Sequence, residues 1–282
     1  MKLDVFNVEH GACAVLHCDD GQRFMFDCGH NASTGWRPGD YLAANGIRSL
    51  RTLFVTNYDE DHVSGIRNLF EKTNVETIFR NTSVSPQTIK NLKTDDGMGL
   101  GIEFLVAKLI EWSKNPGLGV GDIGLPPGVS VNLFHNRFGE FEDENNLSMA
   151  VELVANGLSF MFTGDLEKAG WVKLLERADL RAALARTQVF FASHHGRESG
   201  CCPEVFDYCR PRFVVISDKA KGFQTQETHA FYHAKATGGR IIGEDDARFV
   251  LTTRHDGDIR FDVFPNGSYD VYTSRASFRR SR

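Results

Sequence analysis

The stretch Thr56-Asn57-Tyr58-Asp59-Glu60-Asp61-His62-Val63-Ser64-Gly65 sets three carboxylates and one imidazole between the apolar run Leu53-Phe54-Val55 and the helix-like run Ile66-Arg67-Asn68-Leu69-Phe70. A strand ending in a tight loop of oxygen and nitrogen donors, with a helix starting directly after it, suits a divalent cation. The competing reading is an acidic surface loop in which Asp caps the helix. The choice between them turns on whether other strands end in the same way.

Others do. Leu158-Ser159-Phe160-Met161-Phe162 runs into Thr163-Gly164-Asp165, and Val189-Phe190-Phe191-Ala192-Ser193 runs into His194-His195-Gly196. His229 stands near the start of a helix expected over Glu227–Ala236. Each has a bland reading: Gly-Asp as a turn, His-His-Gly as a polar loop, His229 as a helix-surface residue. Four such events after apolar segments favour a common site, since layered α/β folds gather their ligands at strand ends.

The rest of the chain supplies the scaffold. Leu3–Val8, Gly11–Cys18 and Arg23–Phe26 read as strands, the last two joined at Asp19-Asp20-Gly21 as a hairpin. Val75–Phe79, Val129–Phe134 and Phe213–Ser217 read as further strands, and Asn156-Gly157 marks a hairpin between Asn145–Leu153 and Leu158–Asp165. Residues 86–93, 101–114 and Glu167–Arg177 read as helices, and Gly117–Gly128 as a Gly/Pro loop. Arg240–Tyr272 reads as strands and turns. Strands followed by alternating strands and helices, twice over, predict two packed sheets with helices outside: an α/β protein built as an αββα four-layer sandwich. With no linker or repeat, the expectation is one domain over 1–273 and a basic, solvated tail over 274–282.

Composition narrows the function. Of 282 residues, 41% are hydrophobic and 24% charged, as in soluble globular proteins, and no apolar run approaches the ~20 residues of a membrane span. Met1-Lys2-Leu3-Asp4-Val5 lacks a signal-peptide pattern, which with six scattered cysteines and no CxxC pair points to the cytoplasm. A net charge of −5 argues against gripping long nucleic acid through a broad basic face, but not against cutting it at a metal.

In order, these motifs resemble the metallo-β-lactamase fold, in the branch of the hydrolase domain of the competence channel protein ComEC. Asn57-x-Asp59-x-Asp61-His62-x-x-Gly65 is similar to that branch's H-x-D-x-D-H-x-G-G. Asn145-Asn146-Leu147-Ser148-Met149-Ala150-Val151 is similar to N-N-x-S-L-V-L, Thr163-Gly164-Asp165 to T-G-D, and His194-His195-Gly196-Arg197 to H-H-G-S. Glu227-Thr228-His229-Ala230 stands where the branch has G-H-P-H, and Asp27-Cys28-Gly29 where it has D-x-G.

The resemblance implies a metal-dependent hydrolase with one or two Zn2+ or Mn2+ ions, acting as a phosphodiesterase or nuclease on nucleic acid or a nucleotide. It implies Asp61 and His62 on the second metal, Asp165 bridging, and His194 or His195 completing the second site, with His194 preferred because it directly follows the strand. Asp59 would serve the first metal, with Asn57 at the position of the usual His. Asp61 would also orient the attacking water and take its proton, and His229 would approach the metals or the substrate phosphate. Besides the absent third His between the strands, where Asn146 and Ser148 stand as in the ComEC-like branch itself, and the missing proline of G-H-P-H, two departures bear on this. Asn57 is a weak donor in place of imidazole, and Arg197 replaces a small polar residue. They leave open a one-metal enzyme, a harder ion such as manganese or magnesium, and a non-catalytic binding or regulatory member. Hydrolysis of another ester, thioester or lactam is also open.

Overall fold

The structure is a computed structural model describing residues 1–94, 97–114, 123–219 and 228–276. The chain begins with β1 (Lys2–Val5), β2 (Cys13–His17) and β3 (Arg23–Cys28), followed by α1 (Pro38–Ala44) and β4 (Ser49–Phe54). Next come α2 (Glu60–Val63), α3 (Ile66–Lys72), β5 (Asn74–Phe79), α4 (Pro86–Leu92) and α5 (Leu100–Ser113). The second half opens with β6 (Val129–His135), β7 (Met149–Ala155), β8 (Leu158–Phe162), α6 (Lys168–Leu174), α7 (Ala178–Arg186) and β9 (Val189–Phe191). It ends with β10 (Phe213–Ile216), α8 (His229–Lys235), β11 (Val250–Thr252), α9 (Thr253–Asp256), β12 (Ile259–Val263) and β13 (Tyr269–Thr273).

Among the described residues these strands form two sheets, ordered β13-β12-β1-β2-β3-β4-β5 and β11-β10-β9-β8-β7-β6. Strand alternation decides what each sheet faces. In β3, Phe24 and Phe26 point into the core between the sheets, while Met25 points outward to the layer of α1, α3 and α5. In β8, Phe160 and Phe162 enter the same inter-sheet core, while Met161 meets Trp171, Leu180 and Leu184 of α6 and α7. The result is the αββα sandwich. Its centre is an aromatic stack: Phe26 lies 4.9 Å from Phe54 and 4.2 Å from Phe162, which lies 4.2 Å from Phe191. Truncating such a ring costs about 3–5 kcal/mol.

Parallel pairing sets the working edge. β3, β4 and β5 are parallel neighbours, and so are β8, β9, β10 and β11. Their carboxyl ends come to one side of the sandwich, where Met149 N–H donates to Thr56 O at 2.7 Å and joins the two sheets. Both expected hairpins are present, the second turning through Asn156 at φ 45° and Gly157 at φ 88°. The helix expected over Glu167–Arg177 stops at Leu174, and a second helix, α7, follows. Glu227 lies outside the described residues, as does part of the Gly117–Gly128 loop, and α8 starts at His229. Of the basic segment 274–282, only 274–276 are described, and Ala276 is buried against the inter-sheet core. Among the described residues no helix is long and apolar enough to cross a membrane.

Candidate metal centre

Three strand ends and one short helix build a cluster. Asp61 and His62 lie on α2 just beyond β4, Asp165 lies three residues after β8, and His195 follows β9. Each offers one ligand atom, and these atoms lie within 4.8 Å of one another. His62, Asp165 and His195 are buried, while Asp61 keeps 25% of its side chain exposed and so forms the open wall. The chain is packed tightly there. A Cβ on Gly11 or on Gly29 would come within 2.5 Å of the Asp61 carbonyl oxygen, so only glycine lets those loops pass behind α2.

The outer nitrogens of both imidazoles are tied down. His62 Nδ1 lies 2.8 Å from Asp27 Oδ2, and His195 Nδ1 lies 2.9 Å from Ser217 O. Carboxylate and carbonyl oxygens only accept, so each Nδ1 carries the proton. Both Nε2 atoms then turn inward, 3.1 Å and 3.4 Å from Asp165 Oδ1. His195 Nε2 also stands 3.1 Å from Asp61 Oδ2, yet it is buried without a hydrogen bond.

The charges explain that orphaned atom. Burial raises both carboxylates, but the imidazoles outweigh it: Asp61 is held at about 2 by His195 and His62, and Asp165 well below the usual carboxylate range by the same pair. Burial lowers both imidazoles, but Asp165 with Asp27 drives His62 well above 6.5, and Asp165 with Asp61 raises His195. The four groups together demand positive charge at their centre. A divalent cation meets that demand and gives the His195 nitrogen its partner; two nitrogens and two carboxylate oxygens form a donor set suited to zinc, and also to manganese. The residues fit a metal.

Asp27 is the support that the sequence reading left without a role. At φ 54°, one residue before the end of β3, it accepts the Thr56 N–H at 2.7 Å and the Thr56 hydroxyl at 2.5 Å, besides His62 Nδ1. An outer carboxylate holding a ligand imidazole fixes its tautomer and raises its basicity. Its visible trace in the sequence is the Asp-Cys-Gly closing an apolar strand.

The three loop carboxylates divide their work. Only Asp61 faces the cluster. Glu60 accepts from Gly101 and Ile102 N–H at 2.8 and 3.1 Å, placing negative charge at the N-terminus of α5. Asp59, expected to serve a first metal, instead pairs with the buried Lys93 ammonium, which also reaches Glu144 at 2.9 Å. Asn57 is engaged beside the cluster, through Ser148 Oγ, which also accepts from Asp165 N–H. It is fully buried, donates to Ser148 Oγ at 3.1 Å and accepts from Asp59 N–H at 2.9 Å, so its amide holds the loop.

His195, rather than the preferred His194, enters the cluster. Both residues are left-handed, at φ 51° and 52°, and the tight turn sends their rings different ways. His194 Nδ1 lies 3.0 Å from Ser199 Oγ and 3.3 Å from Glu167 Oε1, outside the four-residue group. Burial lowers His194 below its ordinary value. His229 is exposed at the first residue of α8, its ring centroid 6.1 Å from that of His233, and does not belong to the cluster. Thr228 before it bonds Gly196 O, tying α8 to the histidine loop. His10, not singled out from the sequence, packs its ring 4.4 Å from His195, and its Nε2 lies 3.9 Å from Asp61 Oδ2. Burial and His195 lower it to about 4.

No family model matches the chain. ComE operon protein 3 of Bacillus subtilis (strain 168) is 22% identical over 240 residues, 82% of this chain but 27% of that protein, so the chain spans about a quarter of that relative's length. The metallo-β-lactamase fold protein YhfI from Bacillus subtilis superposes with a TM-score of 0.50 at 8% identity, over 96% of this chain and all of that one. Zn2+-bound PqqB from Methylobacterium extorquens superposes with a TM-score of 0.50 at 12% identity, over 93% of this chain and all of that one.

Proposed function

This chain has the metallo-β-lactamase fold, and on that fold we propose a metal-dependent hydrolase that cleaves phosphodiesters, with nucleic acid or a nucleotide as the substrate class. The observation that carries the reading is the convergence of His62 Nε2, His195 Nε2, Asp61 and Asp165 at parallel strand ends, with both outer nitrogens already tied to oxygen. The ion would be zinc or manganese, and a single one, because Asp59 and Asn57 are engaged by Lys93 and Ser148.

A bound divalent cation supplies Lewis acidity and brings the pKa of water near neutrality. The protein's own groups supply the rest. Asp165, buried and ionised, and the two fixed imidazoles set the donor geometry. Asp61, ionised and open to solvent, accepts a hydrogen bond from the attacking water and takes its proton. The Asp-rich loop and its similarity to the ComEC-like branch favour a phosphodiester over a lactam.

The test is turnover of bis-nitrophenyl phosphate and of single-stranded DNA by protein loaded with zinc or manganese, with nitrocefin as the contrasting substrate. Turnover of the phosphodiesters that disappears in Asp61→Ala supports the reading. Nitrocefin turnover alone moves the activity to another hydrolase class. Metal uptake with no turnover of any substrate favours a binding role, for which the structural engagement of Asn57 and Asp59 is the specific support.

A further inference from the structure

Arg197 follows His195-Gly196, and its cationic head has an unusual set of partners. Nη1 lies 3.3 Å from His194 Nε2, Nη2 lies 3.1 Å from His10 Nε2, and Nε is buried with no hydrogen bond. Among the described residues it has no carboxylate partner, whereas Arg186 is paired with Glu152, Arg248 with Asp256 and Arg260 with Asp4.

The acceptors are imidazole lone pairs. His194 Nδ1 faces Ser199 Oγ and Glu167 Oε1, so its proton sits on that side and Nε2 receives the guanidinium N–H. His10 likewise presents Nε2 as an acceptor to Nη2. The two rings therefore aim the guanidinium without neutralising it. Its position is tied to the metal cluster, because the His10 ring packs at a tilt 4.4 Å from that of His195 and His10 Nε2 stands 3.9 Å from Asp61 Oδ2. A planar fork with unused N–H groups and uncompensated charge matches the paired oxygens of a phosphoryl group.

We propose that Arg197, oriented by His10 and His194, is the anion-recognition residue of this site and binds a non-bridging phosphoryl oxygen of the substrate beside the metal. The inference rests on the phosphodiesterase reading for its substrate class, but its test needs no turnover. Inorganic phosphate is titrated calorimetrically into zinc-loaded protein, with acetate as a second anion, for the wild type, Arg197→Gln and Arg197→Lys. Metal content and melting temperature are recorded for each.

Loss of a charge-assisted pair predicts phosphate affinity about 10-fold or more weaker in Arg197→Gln at unchanged zinc content. Arg197→Lys keeps the charge but loses the fork, and falls between the two. In turnover assays the same variants raise KM more than they lower kcat. Unchanged phosphate affinity in both variants overturns the proposal, as does an acetate affinity equal to that for phosphate with the same dependence on Arg197. If Arg197→Gln fails to fold, Arg197→Lys decides: weaker phosphate binding supports the assignment and wild-type binding overturns it. Phosphate binding that depends on Arg197 in a protein without phosphodiesterase activity leaves this inference standing and removes the catalytic one.

Discussion

His195 Nε2 stands 3.1 Å from Asp61 Oδ2 and 3.4 Å from Asp165 Oδ1, buried and without a hydrogen bond. Two carboxylates face a nitrogen whose sister atom donates to Ser217 O. The arrangement is stable only when positive charge sits at the meeting point, carried by a proton or by a metal ion.

That competition gives a pH signature. His62 and His195 have folded values above 6.5, so in metal-free protein their stabilisation is fully present below about 6.5 and is lost as pH rises through the folded values. Metal binding displaces those protons. The gain in Tm on adding zinc is therefore expected to grow between about pH 6 and pH 8, with proton release visible as a buffer-dependent calorimetric enthalpy. A Tm gain that shrinks over that range contradicts the assignment.

Asp27 holds His62 from behind. Asp27→Asn keeps an acceptor near Nδ1 but removes the charge and sets an amide group against Thr56. Zinc affinity is expected to fall about 10–100-fold, measured by competition with a chromophoric chelator. Wild-type affinity in this variant would remove Asp27 from the account.

The neighbouring histidines separate cleanly. His195→Ala is expected to abolish stable metal uptake, and His194→Ala to retain it while weakening anion binding through Arg197. Metal analysis after gel filtration reads both. Equal metal loss in the two variants would show that the turn at 193–196 is being disrupted as a whole rather than losing a ligand.

Lys93 carries the third site-edge relationship. Lys93→Met leaves Asp59 and Glu144, both partly buried, without their cation. The expected cost is about 1–3 kcal/mol, read from the urea midpoint. Asn57→His alone is expected to leave the metal stoichiometry unchanged, because Asp59, the loop carboxylate that would share a second site with it, is already paired with Lys93; a second bound equivalent would contradict this.

Much of this was legible in the residues. The order of strands and helices, repeated twice, gave the two packed sheets with helices outside, and the Asn-Gly turn gave its hairpin. Apolar runs leading into Asp61-His62 and Asp165 named three of the cluster's four residues. The choice between His194 and His195 was hidden because it depends on two consecutive left-handed residues, a backbone conformation that no spacing encodes. Lys93 was hidden because it follows an ordinary polar helix and meets Asp59 only through the tertiary fold. Helix α7 was missed although Leu180, Ala183 and Leu184 keep a helical period, because the short preceding helix was read as continuing to Arg177.

The central claim is that one divalent cation sits among Asp61, His62, Asp165 and His195. The most direct measurement is metal content per chain, by inductively coupled plasma mass spectrometry with native mass spectrometry, after loading with zinc or manganese and removing excess. One equivalent in the wild type and none in His195→Ala is the predicted result; an unchanged equivalent in His195→Ala, or no metal in the wild type, contradicts it.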